Sequence, residues 1–408
     1  MGKNIKKRYP SYFKEFKCIA GKCEDSCCIG WDIDIDKITF RQYYKVKDKE
    51  MKRMFQKNVH NNDNYLNSEV DYGKVKLTKE KRCPFLDEEN YCVIYSKLGE
   101  EYLSNVCTSF PRIINIVDGV YEMSLDVACP EAARIILLKE GGIEFEEGTE
   151  TLEKHIVSSD IDTKSKKFNN SLVKYFSEIR DMSIKIIKNR KFDLSQRFYI
   201  LGEFLSALEK KSKQNYNNVP KFIKEYNIDS VSDSYGKNQS SYIIQMDFFK
   251  KMLGFLNVSK EVDSLSFKEY TNQIIVAFKL EEEDEISVHS ELYKKAFEDY
   301  TAKFINNNYI FENYLVNFIY NNMFPFSETE SIFDGYIMLL TRYSFIKFYL
   351  VGKYLYNNED SKENVVKFIQ VFSKIIGHHK TYTVDVLNYI KENKLDNMQF
   401  AKILLPKL

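Results

Sequence analysis

The chemistry this sequence offers most plainly lies in its eight cysteines. Cys18, Cys23, Cys27 and Cys28 crowd into the stretch KCIAGKCEDSCCIGW; Cys83, Cys92, Cys107 and Cys129 follow, and no cysteine comes after them. Thiolates are soft, anionic donors, and a short loop that presents them three to five residues apart can wrap one metal centre. Distant cysteines then close the coordination sphere when the chain folds back. Adjacent side chains point apart, so one member of the Cys27–Cys28 pair is expected to serve a given centre. Eight thiols suffice for two four-thiolate sites, or for one site with supporting thiols around it. The regular C-x2-C knuckles of structural zinc are missing, and the irregular spacing suits a cubane iron–sulfur cluster better. The radical-SAM spacing C-x3-C-x2-C fails as well, because the third position after Cys23 and Cys27 is Gly30. Reading the thiols as small buried hydrophobes does not account for their crowding.

Other residues in the same region are weaker candidates. Asp32, Asp34 and Asp36 alternate with Trp31, Ile33 and Ile35, the period of a strand. That row of carboxylates could attract a lysine or hold ribose hydroxyls, although such rows are more often a solvated face. Asp87, in CPFLD, is expected to fix the turn between two cysteines. Arg112, in FPR, either pairs with a carboxylate near the centre or supports the fold. Trp31 either shields the centre from water or packs in the core. His378 and His379 are neighbours and on a helix point about 100° apart, so they cannot share a metal. They read as surface or capping histidines.

These residues must be positioned by two different kinds of chain. Residues 1 to 140 hold every cysteine and the single tryptophan, with strand-like alternation at GWDIDIDKITF and a hairpin signal at Asp118-Gly119. YCVIYSKLGEEYLSNVC reads as a short helix or turn with thiols at both ends. Beyond KEGGIEFEEGTET the pattern becomes helical. Asp193 and Gln196 form a near capping box, followed by Phe198, Leu201, Phe204, Leu205 and Leu208 on one face. Similar periodicity continues to SIFDGYIMLLTRYSFIKFYLVGKYL, with Pro325 separating the last long helices. The fold class is therefore α+β and mostly helical: a small cysteine-rich metal-binding module over 1–140, then a larger all-α domain over 141–408, with an acidic break near 280–286.

Composition narrows the function. At 408 residues with 60 basic and 59 acidic side chains, the net charge of +1 gives no footprint for nucleic acid or a membrane surface. No secretory signal, myristoylation motif or membrane-length apolar run is visible. A cytoplasmic location follows as the expectation, where thiols stay reduced. The many tyrosines and phenylalanines accompany abundant Lys, Asn and Ile, and are not read as a binding surface.

The segments FKCIAGKCEDSCCIGWDIDIDK, CPFLDEENYCVIYSKLGEEYLSNVCTSFPR and SLDVACPEAAR together resemble the flagellin lysine-N-methylase family (FliB-like). Its N-terminal part is similar to the cysteine-cluster module of YkgJ-type proteins. The resemblance runs from Tyr9 to about Arg134, and the helical part, including NYLVNFIYNNMFPFS, fits with less specific motifs. It implies methylation of lysine ε-amines on flagellin or another surface protein, with S-adenosylmethionine (SAM) as donor. It also implies a [4Fe-4S] cluster bound by cysteines at the positions of Cys18, Cys23, Cys27, Cys28, Cys83, Cys92, Cys107 and Cys129, with zinc the less favoured metal. Which four serve the cluster stays open, as do the SAM-binding residues and the catalytic base. Methyl transfer requires a neutral amine, and at a pKa near ~10.4 only about one lysine in two thousand is neutral at pH 7. The site must therefore desolvate the ammonium or accept its proton through Tyr, Asp or Glu. No G-x-G-x-x-G occurs, which disfavours a Rossmann-type donor site. The competing reading is a non-catalytic iron–sulfur or zinc module that rigidifies an interaction domain; it predicts no SAM binding.

Overall fold

The computed structural model describes residues 3–152, 155–229, 241–379 and 381–406, without the side chains of residues 3, 152 and 378. The chain forms two compact units, one of Met1–Ile135 with Glu144–Asp162, the other of Ile136–Ile143 with Thr163–Leu408.

Among its described residues the first unit carries two sheets. Its strands are β1 (Lys3–Pro10), β2 (Asp34–Ile35), β3 (Val59–Asn61), β4 (Gly73–Val75), β5 (Arg112–Val117), β6 (Val120–Leu125), β7 (Phe145–Leu152) and β8 (Ser159–Ile161). The five-stranded sheet runs β7-β1-β6-β5-β8 and the smaller one β2-β4-β3. β5 and β6 form the expected hairpin: Asp118 and Gly119 both take left-handed backbone, φ 50° and 81°, as a two-residue turn with the native strand twist requires. Ile5 and Tyr9 of β1 pack with Ile114, Tyr121 and Met123 in one core. β1 also pairs with β7 in antiparallel register from Lys3 opposite Leu152 to Pro10 opposite Phe145.

The alternation from Trp31 to Asp36 does not give the long strand it suggests. Only Asp34 and Ile35 are strand, because Asp36 instead caps helix Lys37–Tyr44, its carboxylate accepting from Thr39 N at 2.9 Å. An N-cap bond satisfies an otherwise orphaned helix donor, and this outweighs continued alternation. Asp36 is therefore buried rather than one of a solvated row.

Among the described residues every regular element of the second unit is a helix. Helix Leu194–Gln214 opens with a complete capping box between Asp193 and Gln196. Glu281 to Glu285 are exposed between helices Leu265–Ala277 and Ile286–Phe304. Helix Ile332–Asn357 departs from the one-faced pattern expected of it, being buried on nearly every side from Ile332 to Tyr354. Its Phe348 lies 4.7 Å from the Phe249 ring and 5.0 Å from Phe278, so the abundant aromatics fill this core. Among the described residues no helix is long and apolar enough to cross a membrane.

Pro325 lies between helices Asn308–Asn321 and Ile332–Asn357, and its carbonyl oxygen would stand 2.0 Å from a Cβ at Gly335. Gly335→Ala is thus expected to destabilise by about 1–3 kcal/mol, because backbone rather than a flexible side chain must yield. Gly254→Ala, inside helix Tyr242–Leu256 with nothing within 4 Å of the added carbon, is expected to be neutral or stabilising. Urea denaturation of the two variants checks the contrast, and equal effects would contradict it.

Candidate metal centre

Three backbone devices set the thiols of the first unit. Cys28 O accepts from Cys83 N at 2.9 Å, and Gly30 N donates to Lys81 O at 2.9 Å, so the vicinal pair lies antiparallel to the second cysteine segment. Gly30 turns the chain there with φ 94°. Between Cys83 and Cys92 the Asp87 carboxylate accepts from Glu89 N (3.0 Å) and Tyr91 N (2.8 Å), which fixes the turn as expected. The Arg82 guanidinium closes the same loop on Asn90 Oδ1 and the Asp87 carbonyl. Cys92 then stands at the N-cap of helix Val93–Leu98. Cys107 sits in helix Asn105–Ser109, where Ser104 Oγ accepts from Cys107 N at 3.2 Å and donates to the Asp34 carbonyl at 3.1 Å. The second Asp36 oxygen accepts from Asn105 N at 2.9 Å, tying this helix to the one Asp36 caps.

The outcome is convergence of four thiols. Cys28, Cys83, Cys92 and Cys107 line one small cavity of about 30 Å³, whose remaining walls include Ile33, Ile35, Tyr43 and Phe85. All eight cysteines are free thiols. Burial pushes Cys83 and Cys92 upward and Cys107 up to about 12. Cys28 goes the other way, down to about 7: the neighbouring Cys27 thiol hydrogen-bonds to it, against burial, with Ser26 and the Arg82 charge assisting. Cys27 rises for the complementary reason, as the donor of that bond. Cys27 and Cys107 present exposed area, yet enough protein surrounds each sulfur for desolvation to act on it. Among the described residues no three ligating side chains stand arranged to hold a single metal ion.

The other sequence candidates fall elsewhere. Cys129 is buried, Cys23 half-buried and Cys18 exposed. Burial raises Cys23 and Cys129, to about 11 for Cys129, with smaller contributions from the Cys18 charge on both and from Cys23 on Cys129, and none of the three lines the cavity. Asp32 and Asp34 both face Lys74 Nζ, at 3.9 and 3.8 Å. Arg112 lies over the Phe16 ring at 5.3 Å. Trp31 meets Phe110 edge-on at 5.0 Å, and its indole N–H donates to the Cys27 carbonyl. His379 bonds Leu256 O through Nε2 and accepts from Tyr382 N, a capping role; the side chain of His378 lies outside the described residues.

Residues 180–404 match the FliB lysine N-methylase C-terminal domain family. The chain belongs to that family. It is similar to the flagellar biosynthetic protein FliU of Salmonella muenchen, 34% identical over 140 residues that cover 33% of this chain and 79% of the relative. It is similar to the same degree to lysine-N-methylases of Salmonella typhimurium and Salmonella choleraesuis, 34% identical over 140 residues, 33% of this chain and 33% of each relative. The match therefore spans a third of the length of those two proteins. No solved structure matches the chain.

Three roles in this FliB-family chain were not assigned from the sequence: Ser104 and Asp36 as positioning residues and Tyr43 as a wall of the cavity. Ser104 precedes Cys107 by three residues, the spacing of an N-cap, and that signal was there to be read. Asp36 gave no such clue, because its alternation with isoleucines mimicked a strand. Tyr43, which stacks on Phe55 at 3.8 Å and lines the cavity, looked like any helical core residue.

Proposed function

We propose that the protein is a SAM-dependent protein-lysine N-methyltransferase acting on flagellin, with a [4Fe-4S] cluster held by Cys28, Cys83, Cys92 and Cys107. The observation that carries the activity is the match of residues 180–404 to the FliB lysine N-methylase C-terminal domain. Flagellin as substrate draws its support from the flagellar biosynthetic name of the FliU relative. Support for the cluster comes from the donor set: four free thiols drawn from three separated chain segments around one cavity. The irregular spacing of these cysteines, without the regular C-x2-C knuckles of structural zinc, favours a cluster over a lone zinc ion. When bound, the cluster supplies a one-electron couple and cross-links the segments that hold it.

The remaining task is to make a lysine nucleophilic. Apolar, aromatic surroundings lower an ammonium pKa by desolvation, and the helical unit does this to its own Lys347 and Lys353, both brought down to about 8 mainly by burial. A substrate lysine held in comparable surroundings would be neutral often enough to attack the donor methyl group. Incubating anaerobically purified protein with flagellin and SAM is expected to add methyl-group masses to flagellin lysines, and omitting SAM should abolish the change. Iron-loaded protein that neither binds SAM nor alters flagellin would overturn the activity and favour a non-catalytic module.

A further inference from the structure

Building on the methyltransferase reading above, we propose that the outer face of the helical hairpin 37–58 docks an acidic segment of the protein substrate, apart from the lysine that is modified.

The hairpin consists of helices Lys37–Tyr44 and Lys49–Asn58. Its inner side is apolar and anchored: Tyr43, Met51 and Phe55 are buried in one core with Cys83, and Tyr43 lines the thiol cavity. Its outer side concentrates positive charge. Residues 37–58 hold eight basic and two acidic side chains, a net charge of +6 in a chain whose whole carries +1. Arg41, Lys45, Lys49, Lys52, Arg53 and Lys57 are all exposed, and none of these side chains has an ion-pair or hydrogen-bond partner among the described residues. Both acids are engaged otherwise. The Asp48 carboxylate accepts from Met51 N at 2.8 Å as the cap of the second helix, and Glu50 pairs with Lys97. Like charges crowded on so small a surface create a positive field, which a partner of opposite sign relieves. Since Tyr43 reaches the cavity from the inner side, this face lies roughly 10 Å, one helix diameter, from it.

A second feature beside the basic face selects the kind of anion. Tyr44, Phe40, Tyr72 and Tyr65 form a row with successive ring centroids 5.2, 5.4 and 5.1 Å apart, which joins the first helix to segment 61–72. Both ends of the row are exposed, and Ile38 and Leu66 beside it are 77% and 96% exposed. Segment 61–72 carries Asp63, Glu69 and Asp71 and no basic residue. A nucleic acid or an anionic membrane, negative throughout, would be repelled there. A protein segment can instead set carboxylates against the helices and apolar side chains over the aromatic row, as in an interface with an apolar centre and a charged rim. Helix Lys49–Asn58 has no outward apolar face to insert into lipid, because Met51 and Phe55 are buried. Six of the eight basic residues are lysines, point charges without the planar fork that suits arginine to phosphate.

The test uses the whole chain purified without oxygen and purified flagellin as probe, with binding followed by fluorescence anisotropy and methylation by mass. Lys49→Glu with Lys52→Glu and Lys57→Glu reverses three exposed charges. It is expected to weaken flagellin binding at least about tenfold at low salt, and to raise KM without changing kcat. Wild-type binding should weaken as salt rises from about 50 to 300 mM, and the variant's should change far less. Lys210→Glu with Lys211→Glu, exposed on helix Leu194–Gln214, controls for a general charge effect and should leave binding unchanged. Wild type that does not bind flagellin, a triple variant that binds it equally well, or a control that loses as much would overturn the docking face. So would hairpin-dependent binding of single-stranded RNA or phosphatidylserine vesicles tighter than that of flagellin. If both wild type and the triple variant methylate flagellin with the same KM, the proposed function stands and only the docking face falls. Salt-sensitive, hairpin-dependent binding of flagellin without methylation would uphold the docking face and remove the activity.

Discussion

Replacing Glu312 with alanine is expected to cost about 3–5 kcal/mol of stability, because it strands a buried guanidinium. Glu312 is almost wholly buried and holds two arginines. Arg197 Nη1 lies 2.6 Å from one carboxylate oxygen, and Arg190 reaches both oxygens through Nε (3.0 and 3.2 Å) and one through Nη2 (2.9 Å). Arg197 also donates to the carbonyls of Phe192 and Ile187, each at 2.8 Å, so it cannot swing out to water without abandoning those bonds. Arg190, about half exposed, could be rehydrated, and most of the penalty therefore falls on Arg197. The same cluster secures the segment Ile136–Ile143 within the helical unit. Arg190 donates to Glu140 O, Asn313 to Lys139 O at 2.9 Å, and Lys188 to Ile143 O at 2.6 Å. Urea denaturation measures the loss. Converting the buried pair, Glu312→Leu with Arg197→Met, should recover most of it, since only Arg190, which water can reach, is then left without its carboxylate. A loss below about 1 kcal/mol for the single change would show that the carboxylate is not the keystone its contacts suggest.

Short-range signals in the sequence were legible because their physics is local. Asp118-Gly119, Asp193 with Gln196, and Asp87 each specify a turn or cap through bonds a few residues away, and each forms as read. The same locality misled at Asp36, where alternation and a capping role compete and only the position of the following helix decides. The sorting of thiols was not legible. It depends on Cys28 pairing through its backbone with Cys83, 55 residues on. Helix Ile332–Asn357 hid its central position: its periodicity marked it as a helix with one apolar face, whereas it is buried on nearly every side from Ile332 to Tyr354. The family match likewise falls on residues 180–404, where packing is spread over aromatic side chains rather than concentrated in short motifs.

That central helix also carries two charges no periodicity explains, and they give the second large prediction: Lys347→Met should stabilise the protein at pH 7 by about 1–3 kcal/mol. Lys347 is buried against the rings of Phe311, Tyr300 and Phe297, with its nitrogen 4.8, 5.1 and 5.9 Å from their centroids. Burial lowers its pKa from 10.5 to about 8, with the Asp360 charge opposing, and Lys353 behaves alike over Tyr270 and Phe368. Asp360, itself half-buried, is raised above its ordinary value by the same desolvation. An unfolded lysine takes up its proton below about 10.5, whereas the folded one does so only below about 8. Between those values the unfolded chain binds more protons, so stability contributed by these lysines is complete above about 10.5 and lost as pH falls to about 8. At pH 7 the folded protein carries a buried ammonium, and methionine of similar shape removes that penalty along with the weaker attraction of the ring faces. Denaturation of wild type and Lys347→Met from pH 7 to 10.5 provides the check. The variant's advantage should be largest at pH 7 and shrink as pH rises, because only the wild type regains stability at that position. A variant less stable at pH 7 would mean that Asp360 and the three rings together hold the ammonium more strongly than burial opposes it.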